Sequence, residues 1–150
     1  MTVMHARLGD TVKFSKTVGE SDVYGFAGIT GDFSQNHVDE EFMSHSMYKH
    51  RIAHGALMIG YMSTASTRMI EESLAKGIDS TPVSLGYDRV RFLKPVFLGD
   101  TITVTYTIAE VDEERRRTRA EVKVTNQHKE LVAVGEHITK WTPNVSERSA

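Results

Sequence analysis

Ile52-Ala53-His54-Gly55-Ala56-Leu57-Met58-Ile59-Gly60-Tyr61-Met62 opens the stretch that decides the fold. From Gly55 the chain runs without proline to Lys76, and Gly77 then supplies the residue that most readily ends a helix in the left-handed conformation. At about 1.5 Å per residue this predicts roughly 33 Å of helix. Beyond His54 its first half carries no charged side chain. The small residues Ala53, Ala56, Gly60, Ser63 and Thr64 stand beside Leu57, Ile59 and Met62. A helix apolar nearly all round is expected to be buried, with its small residues admitting a close neighbour. Arg68, Glu71, Glu72 and Lys76 return the last turns to solvent.

What buries that helix must come from the rest of the chain. After Gly77 the pattern is β to the end. Residues 83–94 carry Leu85, Tyr87, Val90 and Phe92, and Pro95 with Gly99-Asp100 closes the segment at a bulge or an edge. Residues 101–108 alternate strictly, with Ile102, Val104, Tyr106 and Ile108 on one face and threonines on the other. Residues 117–125 repeat this with Ala120, Val122 and Val124, and 131–141 form the last long strand after an Asn126-Gln127-His128-Lys129 hairpin loop. Before the helix, residues 11–18 form a short strand. Ser21 is the expected N-cap of a helix over 22–27, Gly28 and Gly31 bracket a tight turn, and residues 39–43 fit one helical turn. Residues 32–39 are too polar for regular structure, and the tail from Thr142 is expected to be loose. A sheet apolar on one face must cover something, and the long helix is the one candidate. The predicted fold is α+β, an antiparallel sheet wrapped around a central helix in a single domain over 1–150.

Composition narrows the function. The net charge of −2 offers no broad basic face to nucleic acid or an anionic membrane. The basic run Arg115-Arg116-Arg117-Thr118-Arg119 follows Glu110, Asp112, Glu113 and Glu114 and fits a solvated turn. The absence of cysteine excludes disulfides, thiolate nucleophiles and cysteine-zinc sites, and fits a reducing cytoplasm. Residues 1–7 lack the apolar core of a signal peptide, and no apolar run is long enough to span a membrane.

Two features can carry chemistry. Asp32 and His37 lie five residues apart in an irregular loop. Sharing a water, a carboxylate and an imidazole form a general acid/base pair; on spacing alone, a turn-capping aspartate and an ordinary loop histidine fit at least as well. The second feature is His54-Gly55 at the helix start. There a free N–H, aided by the helix dipole, can hold an oxygen that gains charge, or glycine can simply permit close packing. His5, His45, His50, His128 and His137 show no metal-ligand spacing, and no glycine-rich phosphate loop or nucleophile elbow is present.

Three blocks in order carry a resemblance: Phe26-Ala27-Gly28-Ile29-Thr30-Gly31-Asp32-Phe33-Ser34-Gln35-Asn36-His37, then His54-Gly55, then Arg91-Phe92-Leu93-Lys94-Pro95-Val96-Phe97-Leu98-Gly99-Asp100-Thr101. Over residues 8–142 the chain resembles the MaoC-like dehydratase family, which includes the (R)-specific enoyl-CoA hydratases. The resemblance implies the hot-dog fold, a homodimer or larger assembly of dimers, and an acyl-CoA substrate handled without a cofactor or metal. It implies reversible addition of water to a 2-enoyl thioester. Asp32 and His37 would be the catalytic pair and the Gly55 N–H the oxyanion donor, with Phe33, Ser34, Asn36 and His54 next to substrate. Ser34, Gln35 and Asn36 depart from the family's Asn-Pro-aliphatic pattern, so the loop's stiffness is expected to differ. Phe33, Phe42, Met43 and Met47 are candidate pocket walls, and Arg51, Arg89 and Lys94 candidates for the CoA phosphates. Two other classes fit the same fold. A thioesterase would commonly draw a carboxylate from the central helix, which here carries only the late Glu71 and Glu72. A non-catalytic acyl-binding domain would not need both Asp32 and His37.

Overall fold

The computed structural model describes residues 6–145. The chain order is β1 (Thr11–Thr17), α1 (Glu20–Thr30), α2 (Gln35–Val38), α3 (Glu40–Ser44), α4 (Gly55–Leu74), β2 (Ser80–Phe92), β3 (Thr101–Asp112), β4 (Arg117–Thr125) and β5 (Leu131–Pro143). The five strands form one antiparallel sheet in the order β1-β3-β4-β5-β2. The long helix and the strand-rich second half thus agree with the α+β expectation.

Alternation along β3 puts Ile102, Val104, Tyr106 and Ile108 inside, and β4 adds Ala120, Val122 and Val124 beside them. Leu57, Met58, Met62, Ala65 and Met69 of α4 pack onto that face. Each large side chain buried this way contributes about 1.5–3 kcal/mol. Gly135 on β5 faces this packing, where a Cβ would make ordinary contact with Met62 Sδ at 3.5 Å and Val90 Cγ2 at 3.4 Å. Arg68 ties α4 to β1, donating to the Lys13 carbonyl at 3.1 Å with its guanidinium 4.8 Å from the Phe14 ring centre. On the sheet's other face, hydroxyl pairs join β1 to β3, with Ser15 and Thr103 at 2.8 Å and Thr17 and Thr101 at 2.7 Å.

Several expectations are corrected. The helix is not buried all round: Ala56, Gly60, Ser63, Thr64 and Thr67 are exposed, since the sheet covers one side only. The helix α1 begins earlier than Ser21 allows. Its N-cap is Gly19, whose N–H donates to the Asp22 carboxylate at 2.8 Å. Burial pushes that carboxyl up, but the Gly19 N–H and the Lys16 ammonium outweigh it and hold it below its ordinary value. Gly28 lies within α1, and Gly31 alone takes the left-handed cap, with φ 82°. Residues 35–38, expected to be irregular, form the short helix α2. Thr142 is not loose but pairs with Thr81, which extends β5; the expected tail beyond 145 and the segment over residues 1–5 lie outside the described residues. β2 is an edge strand, as Pro95 suggested, and its register shifts fall at Ser84/Gly86 and Asp88/Arg91, before Pro95. The arginine run divides between the β3–β4 turn and β4, where Arg119 meets Glu136 at 2.8 Å and Glu110 at 3.5 Å.

One buried histidine sets a pH dependence. His137 is flanked by the Tyr106 hydroxyl at 2.8 Å and Ser84 Oγ at 2.7 Å, with Tyr87 stacked at 4.4 Å. Burial pulls its pKa down from 6.5 to about 4. The folded state therefore binds fewer protons than the unfolded chain between those values. Its contribution is complete above about 6.5 and is lost as pH falls toward 4, on the order of 3 kcal/mol in all. Denaturant unfolding from pH 7 to 4.5 is expected to show that loss, with a shallower slope in His137→Gln. An unchanged slope would contradict it.

Candidate active site

The chain leaves α1 through Gly31 and turns back at once. Asp32 Oδ1 accepts the Ser34 N–H at 3.3 Å, closing a tight turn, and α2 follows with His37 in its single turn. The loop is held from outside by residues 50–52. The Ile52 N–H donates to the Asn36 carbonyl at 3.0 Å, and His37 Nδ1 donates to the Ile52 carbonyl at 2.7 Å. Since a carbonyl can only accept, that bond puts the proton on Nδ1 and leaves Nε2 as an acceptor. Arg51 clamps the frame by binding Glu20 of α1 and, at 3.1 Å, Glu40 of α3. Donating to the Glu20 carboxylate pushes the Arg51 pKa above the ordinary guanidinium value.

Asp32, His37 and His54 converge, with their ligand-type atoms all within 4.8 Å of one another. Asp32 is exposed, His37 half-buried and His54 buried. His54 Nε2 donates to the Asp32 carbonyl at 2.8 Å. The His37 and His54 rings stack at 3.7 Å between centres with 30° between planes. This trio is also the group among the described residues able to gather round a metal ion. Two imidazoles on one ion need ring planes that converge on it, so binding would require this stack to open.

A cavity of about 290 Å³ is lined by two of the trio, His37 and His54, while the exposed Asp32 lies outside its lining. It is walled by His37, His54, Gly55 and Met58, by Tyr48, Ile52 and Ala53, by residues 92–96 and by Val132. Gly55 is the first residue of α4, so its N–H has no acceptor within the helix and carries the positive end of the dipole. Glycine lets Phe92 pack against the helix start: a Cβ would fall 2.6 Å from Phe92 Cδ2 and displace that ring.

The structure thus brings together Asp32, His37, His54 and Gly55. Phe33, Ser34 and Asn36 stand exposed on the same loop and do not line the cavity. The expected walls are corrected, since Phe33, Phe42 and Met47 are exposed and Met43 is buried, all outside the lining. Of the three basic candidates only Lys94 borders the cavity, and it is paired with Glu130 at 2.6 Å; Arg89 is paired with Glu136 at 2.8 Å. Tyr48, Met58, Phe92 and Val132 line the cavity without a sequence signal that marks them as site residues. Residues 91–101 are recognisable in sequence only as a block, and their side-chain directions depend on the bulges of β2.

Comparison with known proteins identifies relatives in sequence and in fold. The chain is 32% identical over 108 residues to the (R)-specific enoyl-CoA hydratase of Rhodospirillum rubrum, covering 72% of this chain and 69% of that protein. The solved (R)-hydratase from A. caviae involved in PHA biosynthesis superposes with a TM-score of 0.77 at 26% identity, over 91% of this chain and 97% of that one. A hot-dog-like protein from Thermanaerovibrio acidaminovorans, 19% identical, shares the fold at a TM-score of 0.64 over 91% of this chain and 84% of its own. Residues 3–132 match the family described as MaoC like domain, and with the hot-dog architecture and these relatives, the chain belongs to the MaoC-like dehydratase family.

Proposed function

We propose that this protein adds water reversibly to the 2,3 double bond of a 2-enoyl-CoA, giving an (R)-3-hydroxyacyl-CoA, with Asp32 and His37 as the catalytic pair. The observation that carries the reading is that an imidazole with a free Nε2 and a helix N-terminus line one cavity, while a carboxylate oxygen lies within 4.8 Å of that imidazole's ring nitrogen. The thioester carbonyl sits at the Gly55 N–H, which stabilises its oxygen as charge develops. Water held between Asp32 and His37 attacks C3. One O–H bond breaks toward the pair, the C3–O bond forms, and the π electrons move into an enolate. The pair then returns a proton to C2. Phe33, Ser34 and Asn36 border the approach from the loop side. The relatives named as (R)-specific hydratases supply the stereochemical part of the reading.

We place a second copy of the chain against the open side. The exposed face of α4 around Gly60 and Ser63 and the unpaired edge of β2 are unfinished surfaces in one chain, and a homodimer covers both. No helix among the described residues is long and apolar enough to cross a membrane.

Hydrolysis of the thioester is the competing chemistry. The carboxylates of α4, Glu71 and Glu72, are exposed in its last turns and do not line the cavity, which disfavours it. Crotonyl-CoA incubated with the protein is expected to lose its enoyl absorbance without release of free thiol. Thiol release at the same rate would replace hydration with hydrolysis, and absence of both would leave an acyl-binding domain.

A further inference from the structure

Resting on the hydration reading above, we infer that His54 is a positioning residue that holds Asp32 and His37 in one geometry, acting through the Asp32 backbone and the His37 ring. Its imidazole is 2% exposed. One ring face meets His37 at 3.7 Å, and Phe26 packs against the ring at 4.6 Å with 51° between planes. Its Nε2–H is committed to the Asp32 carbonyl at 2.8 Å. That contact leaves Nδ1 as an acceptor, and Nδ1 is buried with no hydrogen-bond partner.

The orphaned nitrogen shows what His54 is not for. A buried acceptor without a donor is unfavourable, so the side chain is not accounted for by satisfying its own polar groups. Nor does it serve α4, because it is the N-cap residue yet makes no side-chain cap. An apolar ring of similar shape would fill the space without the orphan. What such a ring could not do is fix the Asp32 carbonyl. That bond sets the peptide plane after Asp32, and with it the position of the carboxylate beside His37. The stacked face blocks rotation of His37 away from the Ile52 carbonyl, which fixes its tautomer. Both members of the pair are therefore set from the short segment 52–54. The loop substitutions Ser34, Gln35 and Asn36 leave this tether untouched, because its contacts involve the Asp32 backbone and two rings.

Two replacements separate the roles. His54→Phe keeps the stack and removes the donor; His54→Gln restores an N–H near the position of Nε2. In His54→Phe, kcat for crotonyl-CoA is expected to fall about 10²-fold, as for a small misplacement of catalytic groups. KM should stay within about threefold, and His54→Gln should recover kcat to within about tenfold of the unmodified protein. Wild-type turnover in His54→Phe, or a His54→Gln no better than His54→Phe, overturns the inference. A second readout needs no turnover. Two-bond proton–nitrogen NMR on histidine-labelled protein is expected to show a single tautomer at each ring, Nδ1–H at His37 and Nε2–H at His54. His37 should keep Nδ1–H in His54→Phe, whose ring preserves the stack, and become a tautomer mixture in His54→Gln, which has no ring to stack. An Nδ1–H tautomer at His54, or an unchanged His37 in His54→Gln, overturns it as well. If His54→Phe does not fold, His54→Gln kinetics and the wild-type spectrum decide. If the unmodified protein hydrates no enoyl thioester, the hydration reading fails, while the tautomers still decide the role of His54.

Discussion

Hydration of a 2-enoyl thioester is expected to fall about 10²–10⁴-fold in Asp32→Asn and in His37→Gln, with melting temperatures nearly unchanged. Both replacements preserve the structural work of the residue they remove. Asparagine keeps an oxygen that can accept the Ser34 N–H, so the turn after Gly31 survives. Glutamine keeps an N–H that can reach the Ile52 carbonyl. Asp32 is exposed and His37 half-buried, so neither change opens a core cavity. This is why the conservative pair separates catalysis from the plainer reading of a turn cap and a loop histidine: in that reading both variants turn over normally. The double variant is expected to lose little beyond either single one, because two groups that share one water act as a unit. Steady-state kinetics beside thermal melts checks each part.

Gly55→Ala is expected to lower kcat/KM about 10²-fold without lowering stability. The added Cβ would sit 2.6 Å from Phe92 Cδ2 and 2.7 Å from Cε2, closer than real contacts allow. The Phe92 ring must move, and at 52% exposed it has solvent to move into. The fold therefore holds. The cavity does not hold, since Phe92 is one of its walls beside the Gly55 N–H. Phe92→Ala removes the obstruction along with the wall. Gly55→Ala in a Phe92→Ala background should then cost little further, and a double-mutant cycle reads the coupling directly. Additive losses would show that Gly55 acts through something other than this contact.

The fold was legible where one period dominates. The alternation of β3 and the apolar run opening α4 each point to a single partner, and the sheet packs on the helix as that requires. What failed depended on tertiary context. Ser21 is a better N-cap by type than Gly19, yet the Asp22 carboxylate reaching back to the Gly19 N–H moved the start of α1. Small residues on α4 suggested burial all round, but one chain supplies a sheet for one side only. Within the site, the spacing of Asp32 and His37 could not show that they meet. Their convergence depends on the Ile52 and Asp32 carbonyls, and a backbone acceptor leaves no mark in a sequence. The cavity walls were hidden for a related reason, because the bulges in β2 decide where Phe92 points.

The most direct test is the product formed from crotonyl-CoA in deuterated water. Hydration through the Asp32–His37 pair is expected to give (R)-3-hydroxybutyryl-CoA carrying one deuterium at C2, and to give almost none in Asp32→Asn. Free CoA with unhydrated crotonate, or the same hydrated product from Asp32→Asn at an undiminished rate, would contradict it.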